Sequence, residues 1–107
     1  MTLSRQGRAK DGESAFREAL RLAPELAAAH NNLAYQLAAR GASDEARYHF
    51  EQALGLDRNY WAAHLGYARL LAAAGMQEPA AEHFRAALES SDDALRREAQ
   101  AGLRALR

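Results

Sequence analysis

The chain has 107 residues, and its 14 basic and 14 acidic side chains cancel to give no formal net charge at pH 7. It contains 27 Ala and 15 Leu but no Val, Ile or Cys. Because sheets favour β-branched residues and helices favour Ala and Leu, this composition excludes a β or α/β core. The lack of cysteine excludes disulfides and thiolate zinc sites, and the neutral charge argues against a nucleic-acid partner.

The sequence carries no signal for membrane insertion or export. No apolar run approaches the ~20 residues of a membrane span, and Met1–Lys10 lacks the apolar core of a signal peptide. We therefore expect no membrane span and assign no compartment, with the cytoplasm as the default. Arg outnumbers Lys by 13 to 1, which indicates a GC-rich, bacterial genome.

The sequence repeats itself with a period of 34 residues. Phe16, Phe50 and Phe84 follow one another at this interval, and each is followed by Ala three residues later and by Leu four residues later. A Gly precedes each Phe by nine residues. A period of this length, shared by several positions, predicts a protein built from stacked structural repeats.

Each full repeat is predicted to contain two helices. In chain order, the predicted helices cover residues 8–22, 27–40, a segment that starts near Ser43, 60–74, 77–89 and 94–107. Gly41 is expected to end its helix in the left-handed conformation, and Ser43 is expected to be the N-cap of the next helix. Asp92 or Asp93 is expected to cap the last helix. The small Ala side chains beside each Phe are expected where two helices touch.

The predicted organisation is a single domain over residues 1–107. It consists of a partial repeat with only the second helix (1–25), two complete repeats (26–59 and 60–93), and a capping helix or truncated next repeat (94–107). Without a partner helix, Phe16 and Leu20 would be exposed unless something covers them. We therefore expect the chain to be part of a longer protein or to self-associate through its uncapped N-terminal helix.

The repeats resemble those of the tetratricopeptide repeat (TPR) family. The family pattern combines a 34-residue period with Ala-x3-Phe and a Pro on the second helix. Ala46 and Phe50 match this pattern, and Phe16 leads to Pro24 at the family spacing. The sequence departs from the pattern at five positions: His30 and His64 replace an aromatic residue, Arg58 and Asp92 replace the closing Pro, and Tyr67 replaces a Leu.

The resemblance implies an all-α fold, a superhelical stack of antiparallel helix pairs with about six helices. First helices would line a concave groove. In this family such a groove typically binds a segment of a partner protein, and the repeats catalyse no reaction themselves. The chain is therefore expected to be a protein–protein interaction scaffold with no catalytic residue, cofactor or metal. The alternative is an accessory or assembly module of a larger bacterial enzyme or envelope machine, whose activity lies outside this chain.

The outward positions of the first helices, and of the last helix, are the predicted partner-binding residues. We set aside the positions whose apolar side chains are predicted to pack against the neighbouring helix. The remaining candidates are Asn31, Asn32, Tyr35, Leu65, Arg69 and Arg96. Asn can donate to and accept from a peptide backbone, and Arg can hold a carboxylate through two hydrogen bonds. The alternative interpretation is an ordinary solvated helix surface, with the partner site on repeats that this chain lacks.

Four histidines occupy matching places in the two complete repeats, His30 and His49 in one and His64 and His83 in the next. One hypothesis is that each pair converges across its helix pair as neutral imidazole ligands of a metal. The alternative is that His30 and His64 stand in for the family's aromatic residue while the other two lie beside the packed Phe. Because two histidines without a third ligand make a poor site, no metal is predicted.

Overall fold

The computed structural model describes the backbone of residues 5–106 and the side chains of residues 12–106. Residues 1–4, which open the predicted partial repeat, and Arg107, which ends the last predicted helix, lie outside the described residues. The described part contains no β-strand and six α-helices: α1 (Arg5–Leu22), α2 (Ala27–Ala39), α3 (Ser43–Leu56), α4 (Trp61–Ala73), α5 (Gln77–Ala87) and α6 (Asp93–Ala105). The predicted all-α fold class is therefore confirmed.

The helices form two compact units, Met1–Arg58 and Asn59–Arg107. In the first unit α2 packs against both α1 and α3, and in the second unit α4 packs against both α5 and α6. Helices joined by short loops and packed side by side run antiparallel, which is the geometry predicted for each repeat. No helix among the described residues is long and apolar enough to cross a bilayer.

Glycine ends the first helix of each complete repeat. Gly41 has a φ of +84°, and the N–H groups of Gly41 and Ala42 donate to the carbonyls of Ala38 and Leu37 at 3.1 and 2.9 Å. These two hydrogen bonds form a Schellman motif. In this motif the left-handed residue allows carbonyls of the last helical turn, which lack a partner within the helix, to accept hydrogen bonds. Gly75, with a φ of +79°, closes α4 in the same way. The predicted left-handed conformation of Gly41 is confirmed.

The helix starts differ in how they are capped. Asp92 is the N-cap of α6, and its carboxylate accepts hydrogen bonds from the N–H groups of Ala94 and Leu95 at 2.9 and 3.3 Å. The predicted cap at Ser43 is wrong, since Ala42 is the N-cap of α3 and makes no side-chain capping bond. Ala42 both completes the Schellman motif and begins α3, so Ser43 already lies inside the helix.

The core of each unit is built on one phenylalanine and a set of alanines. Phe50 is fully buried and Phe84 is 2% exposed. Phe16 is only half-buried, whereas Leu20 on the same helix is buried. The alanines predicted at helix contacts are all fully buried: Ala34, Ala46 and Ala53 in the first unit and Ala68, Ala80 and Ala87 in the second. Methyl side chains at these positions let neighbouring helices approach closely.

Candidate functional site

The predicted partner-binding residues of the first unit lie on α2, but only some of them reach the surface. Asn32 is exposed and Tyr35 is half-buried. The Tyr35 ring packs edge-on against Phe50, with ring centroids 5.3 Å apart. Asn31 is 4% exposed, and its Oδ1 atom has no hydrogen-bond partner among the described residues. The surface of α2 that a partner can touch therefore includes Asn32 and the outer part of Tyr35.

The predicted residues of the second unit are divided in the same way. Leu65 is 4% exposed, whereas the side chain of Arg69 is 49% exposed and lies 3.6 Å from the Glu98 carboxylate on α6. Arg96 donates to the backbone carbonyl of Ser90 at 2.8 Å and forms an ion pair with Asp93. The two cations thus remain at the surface, and each is already held by groups of its own unit.

Asn31 and Leu65 are the two predicted residues that the structure buries. They are 34 positions apart and so occupy equivalent places on α2 and α4. The sequence prediction considered only the contact between the two helices of one repeat. In the structure α2 also packs against α1, and α4 also packs against α6, so each first helix has a second neighbour in its own unit. Tyr35 and Arg69, also 34 apart, are at least partly exposed.

The histidines converge in pairs across the helix pairs. Nδ1 of His30 on α2 lies 3.0 Å from Nδ1 of His49 on α3, and Nδ1 of His64 on α4 lies 2.9 Å from Nδ1 of His83 on α5. In both pairs the ring centroids are 5.2 Å apart and the ring planes are tilted by 30°. The two repeats therefore build the same imidazole pair from residues 19 positions apart.

The two Nδ1 atoms of each pair are at hydrogen-bond distance, so the Nδ1 atom of each imidazole is engaged in a hydrogen bond with the other ring. Among the described residues, no group of three or more His, Cys, Asp or Glu side chains is arranged to hold a metal ion. A site with two nitrogen ligands falls short of the four that zinc usually takes in proteins. The geometry therefore supports an imidazole pair and gives no support to the metal hypothesis.

A charged cluster joins the three helices of the first unit. Arg40, the C-cap of α2, donates from Nε and Nη2 to the Glu13 carboxylate at 2.7 and 3.0 Å. Arg17 lies 3.6 Å from the same carboxylate and donates to Glu45 at 2.9 Å. The hydrogen bonds from Arg40 hold the pKa of Glu13 below its ordinary value although burial raises it, and the Arg17 hydrogen bond lowers the pKa of Glu45.

Sequence reasoning missed this cluster. Glu13 and Arg40 are 27 positions apart, and Arg17 and Glu45 are 28 apart. Charge pairs can be read from a sequence when they lie three or four residues apart on one helix. Pairs between helices depend on how the helices are placed, so no spacing rule could have found them.

The comparisons with known proteins agree with the geometry of the two units. A search of curated proteins finds no match to this chain. A family model for the tetratricopeptide repeat matches residues 37–106, which is well over half of the chain. The matched range contains α3 to α6 in full, and with them both Ala-x3-Phe segments. The chain therefore belongs to the tetratricopeptide repeat family.

Proposed function

We propose that this chain binds a peptide segment of a partner protein through the first helices of its repeats, in the groove that the family resemblance implies. Tetratricopeptide repeats generally mediate protein–protein interaction and are typically non-catalytic. The observation that carries the proposal is that Tyr35 and Arg69 occupy equivalent positions in the two repeats. In each unit the residue at this position is at least partly exposed, while the position four residues before it is buried.

The chemistry of the exposed side chains suits an extended peptide with acidic groups. The amide of Asn32 can donate to a backbone carbonyl and accept from a backbone N–H. The guanidinium groups of Arg69 and Arg96 can each hold a carboxylate through two parallel hydrogen bonds. Tyr35 adds a flat apolar face with a polar end, a combination common at protein interfaces.

The experiment begins with the intact chain immobilised on beads. Proteins from a bacterial lysate that stay bound at moderate salt are identified, and the bound segment is mapped with overlapping synthetic peptides. Binding of that peptide is then measured by calorimetry for wild type, Asn32→Ala, Arg69→Ala and Arg96→Ala. A lost hydrogen bond to a charged group typically costs about 1.5–3 kcal/mol, so we expect Arg69→Ala to weaken binding by roughly tenfold or more.

Matched controls use second-helix residues of the same type. Arg85 on α5 is exposed like Arg69, and Gln52 on α3 is exposed like Asn32. Arg85→Ala and Gln52→Ala should leave the affinity within about twofold of wild type. If Asn32→Ala, Arg69→Ala and Arg96→Ala all bind like wild type while either control weakens binding, the peptide site lies on the second helices and the proposal is wrong.

A further inference from the structure

The hydrogen bonds around His30 determine where the protons of the His30–His49 pair lie. His30 is 7% exposed, and its Nε2 atom is 3.0 Å from the backbone carbonyl of Pro24. A carbonyl can only accept, so Nε2 of His30 carries a proton and donates it. In the neutral ring Nδ1 of His30 is then the acceptor, and the hydrogen between the two rings belongs to Nδ1 of His49. Nε2 of His49 is therefore the basic nitrogen of the neutral pair.

We propose that the His30–His49 pair is a pH-sensitive clasp between α2 and α3, which stays closed when it binds one proton and opens when it binds a second. The first proton adds to Nε2 of His49 and leaves both hydrogen bonds of His30 in place. The resulting imidazolium still donates from Nδ1 to His30, and a charged donor strengthens that bond. The second proton can add only to Nδ1 of His30, which then ceases to be an acceptor.

The second proton acts in two ways that favour opening. It turns the bond between the rings into a contact between two N–H donors, and it places two positive charges at about 3 Å in a partly buried site, where repulsion is stronger than in water. The repeat then loses the hydrogen bond between these rings, which removes one polar contact between α2 and α3. The clasp therefore loosens the helix pair in acid without any change at neutral pH.

The surroundings of the pair set the acidity at which it responds. Burial lowers the pKa of His49. Arg17 on α1 lowers it further, as does His30 when it is charged, while Glu45 on α3 raises it. The Tyr48 ring stands edge-on to His49 with centroids 5.0 Å apart. Since the folded state binds the proton more weakly than the unfolded chain, His49 stabilises the fold above its ordinary pKa of about 6.5. This stabilisation is lost as the pH falls through its folded value.

The second repeat contains an imidazole pair with the same geometry. His64 and His83 reproduce the nitrogen distance, the ring separation and the tilt of the first pair. A chance contact between two rings would not be expected to recur with the same geometry 34 residues later. The recurrence also provides a matched control, because His83 belongs to the second unit.

The direct test is NMR of the intact wild-type chain with ¹⁵N-labelled histidine. At about pH 8 we expect the His49 proton on Nδ1, the His30 proton on Nε2, and a scalar coupling across the hydrogen bond between the two Nδ1 atoms. On acidification the pair should titrate in two steps more than about one pH unit apart, as interacting sites do. The coupling should survive the first step and disappear at the second.

Two variants connect these signals to the pair. His49→Leu should abolish the coupling of the first repeat, whereas His83→Leu should leave that coupling unchanged. Amide exchange of α3 in wild type should accelerate more at the second step than at the first, where only the lowered pKa of His49 reduces stability. A His49 proton found on Nε2 at about pH 8, or a coupling that disappears at the first step, would overturn the proposal even if a variant failed to fold.

Discussion

Gly102 lies directly against the ring of Phe84. A Cβ atom built at position 102 would be 2.3 Å from Cε1 and 2.4 Å from Cζ of that ring, far inside van der Waals contact. Phe84 is 2% exposed and sits among fully buried alanines, so the ring has little room to retreat. The missing side chain at position 102 is therefore what allows α6 to close over the core of the second unit.

Replacing Gly102 by Ala should destabilise the chain although Ala is the better helix former. The added methyl group must displace α6 or the Phe84 ring, and overpacking of this kind typically costs about 1–3 kcal/mol. Urea unfolding followed by circular dichroism would measure the loss. Gly55 in α3 is the matched control, because a Cβ there meets nothing within 4 Å. Gly55→Ala should stabilise by up to about 1 kcal/mol, and equal effects of the two changes would refute the packing argument.

The period of 34 residues predicts part of this contact and not the rest. Gly102 follows Ala68 at the repeat interval, so the period predicts a small residue at this place in the last helix. The pattern cannot say that the residue must be Gly, because that depends on the distance between α6 and Phe84. Repeat patterns specify which positions face a neighbouring helix, while the closeness of the approach follows from the packing of all side chains in the unit.

The candidate binding site could also be predicted only in part from the sequence. The sequence placed Asn32, Tyr35 and Arg69 on first helices, and the structure leaves these side chains wholly or partly at the surface. The sequence could not show that Asn31 and Leu65 are buried, since their burial depends on how each first helix packs against its neighbours in the unit. Whether the groove residues bind a partner stays a prediction. The histidine pairs were considered as converging groups, but their shared hydrogen could be inferred only from the nitrogen positions.

Replacing Gly41 by Ala should destabilise the chain because of the backbone conformation at this position. Its φ of +84° lies in the left-handed region, where a Cβ atom clashes with the backbone and costs about 1–2 kcal/mol. Gly41→Ala should lower the melting temperature, as measured by calorimetry. Gly41→Asn should lower it less, because Asn tolerates this conformation best among residues with side chains. A Cβ at this position would meet open space, so equal losses for Ala and Asn would contradict the conformational explanation.

The phenylalanines of the repeat should differ in their contribution to stability. Phe50 is fully buried, and Phe50→Ala should cost about 3–5 kcal/mol through lost burial and the cavity left behind. Phe16→Ala should cost clearly less, since this ring is only half-buried in the first unit. Urea unfolding of both variants at one pH would measure the difference. Equal losses would mean that Phe16 is covered in solution, for example by a second copy of the chain, which sedimentation would detect.

The Glu13–Arg40 contact should make stability depend on pH in the acidic range. The hydrogen bonds from Arg40 lower the pKa of Glu13 in the folded state, so the unfolded chain takes up its proton first. The contact therefore stabilises the fold above the ordinary pKa of Glu, and this stabilisation is lost as the pH falls through the folded value. Urea midpoints measured between about pH 6 and pH 3 should fall less steeply for Arg40→Gln than for wild type.

The control for this change is Arg47 on α3, which is about as exposed as Arg40 and pairs with the exposed Glu51 at 3.4 Å. Both substitutions remove one positive charge from the same unit. Exposed ion pairs contribute little to stability, so Arg47→Gln should preserve the wild-type pH profile. If Arg47→Gln flattens the profile as much as Arg40→Gln does, the effect comes from net charge and not from the buried carboxylate.

The two candidate capping residues should respond in opposite ways to removal of their side chains. Asp92 accepts two backbone N–H bonds at the start of α6, and Asp92→Ala should cost about 0.5–2 kcal/mol. Ser43 lies inside α3 and makes no capping bond, so Ser43→Ala should be neutral or slightly stabilising, because Ala has the higher helix propensity. Thermal unfolding of both variants at neutral pH would compare them. A loss at Ser43 as large as that at Asp92 would show that α3 begins with a serine cap in solution, against the Schellman turn through Ala42.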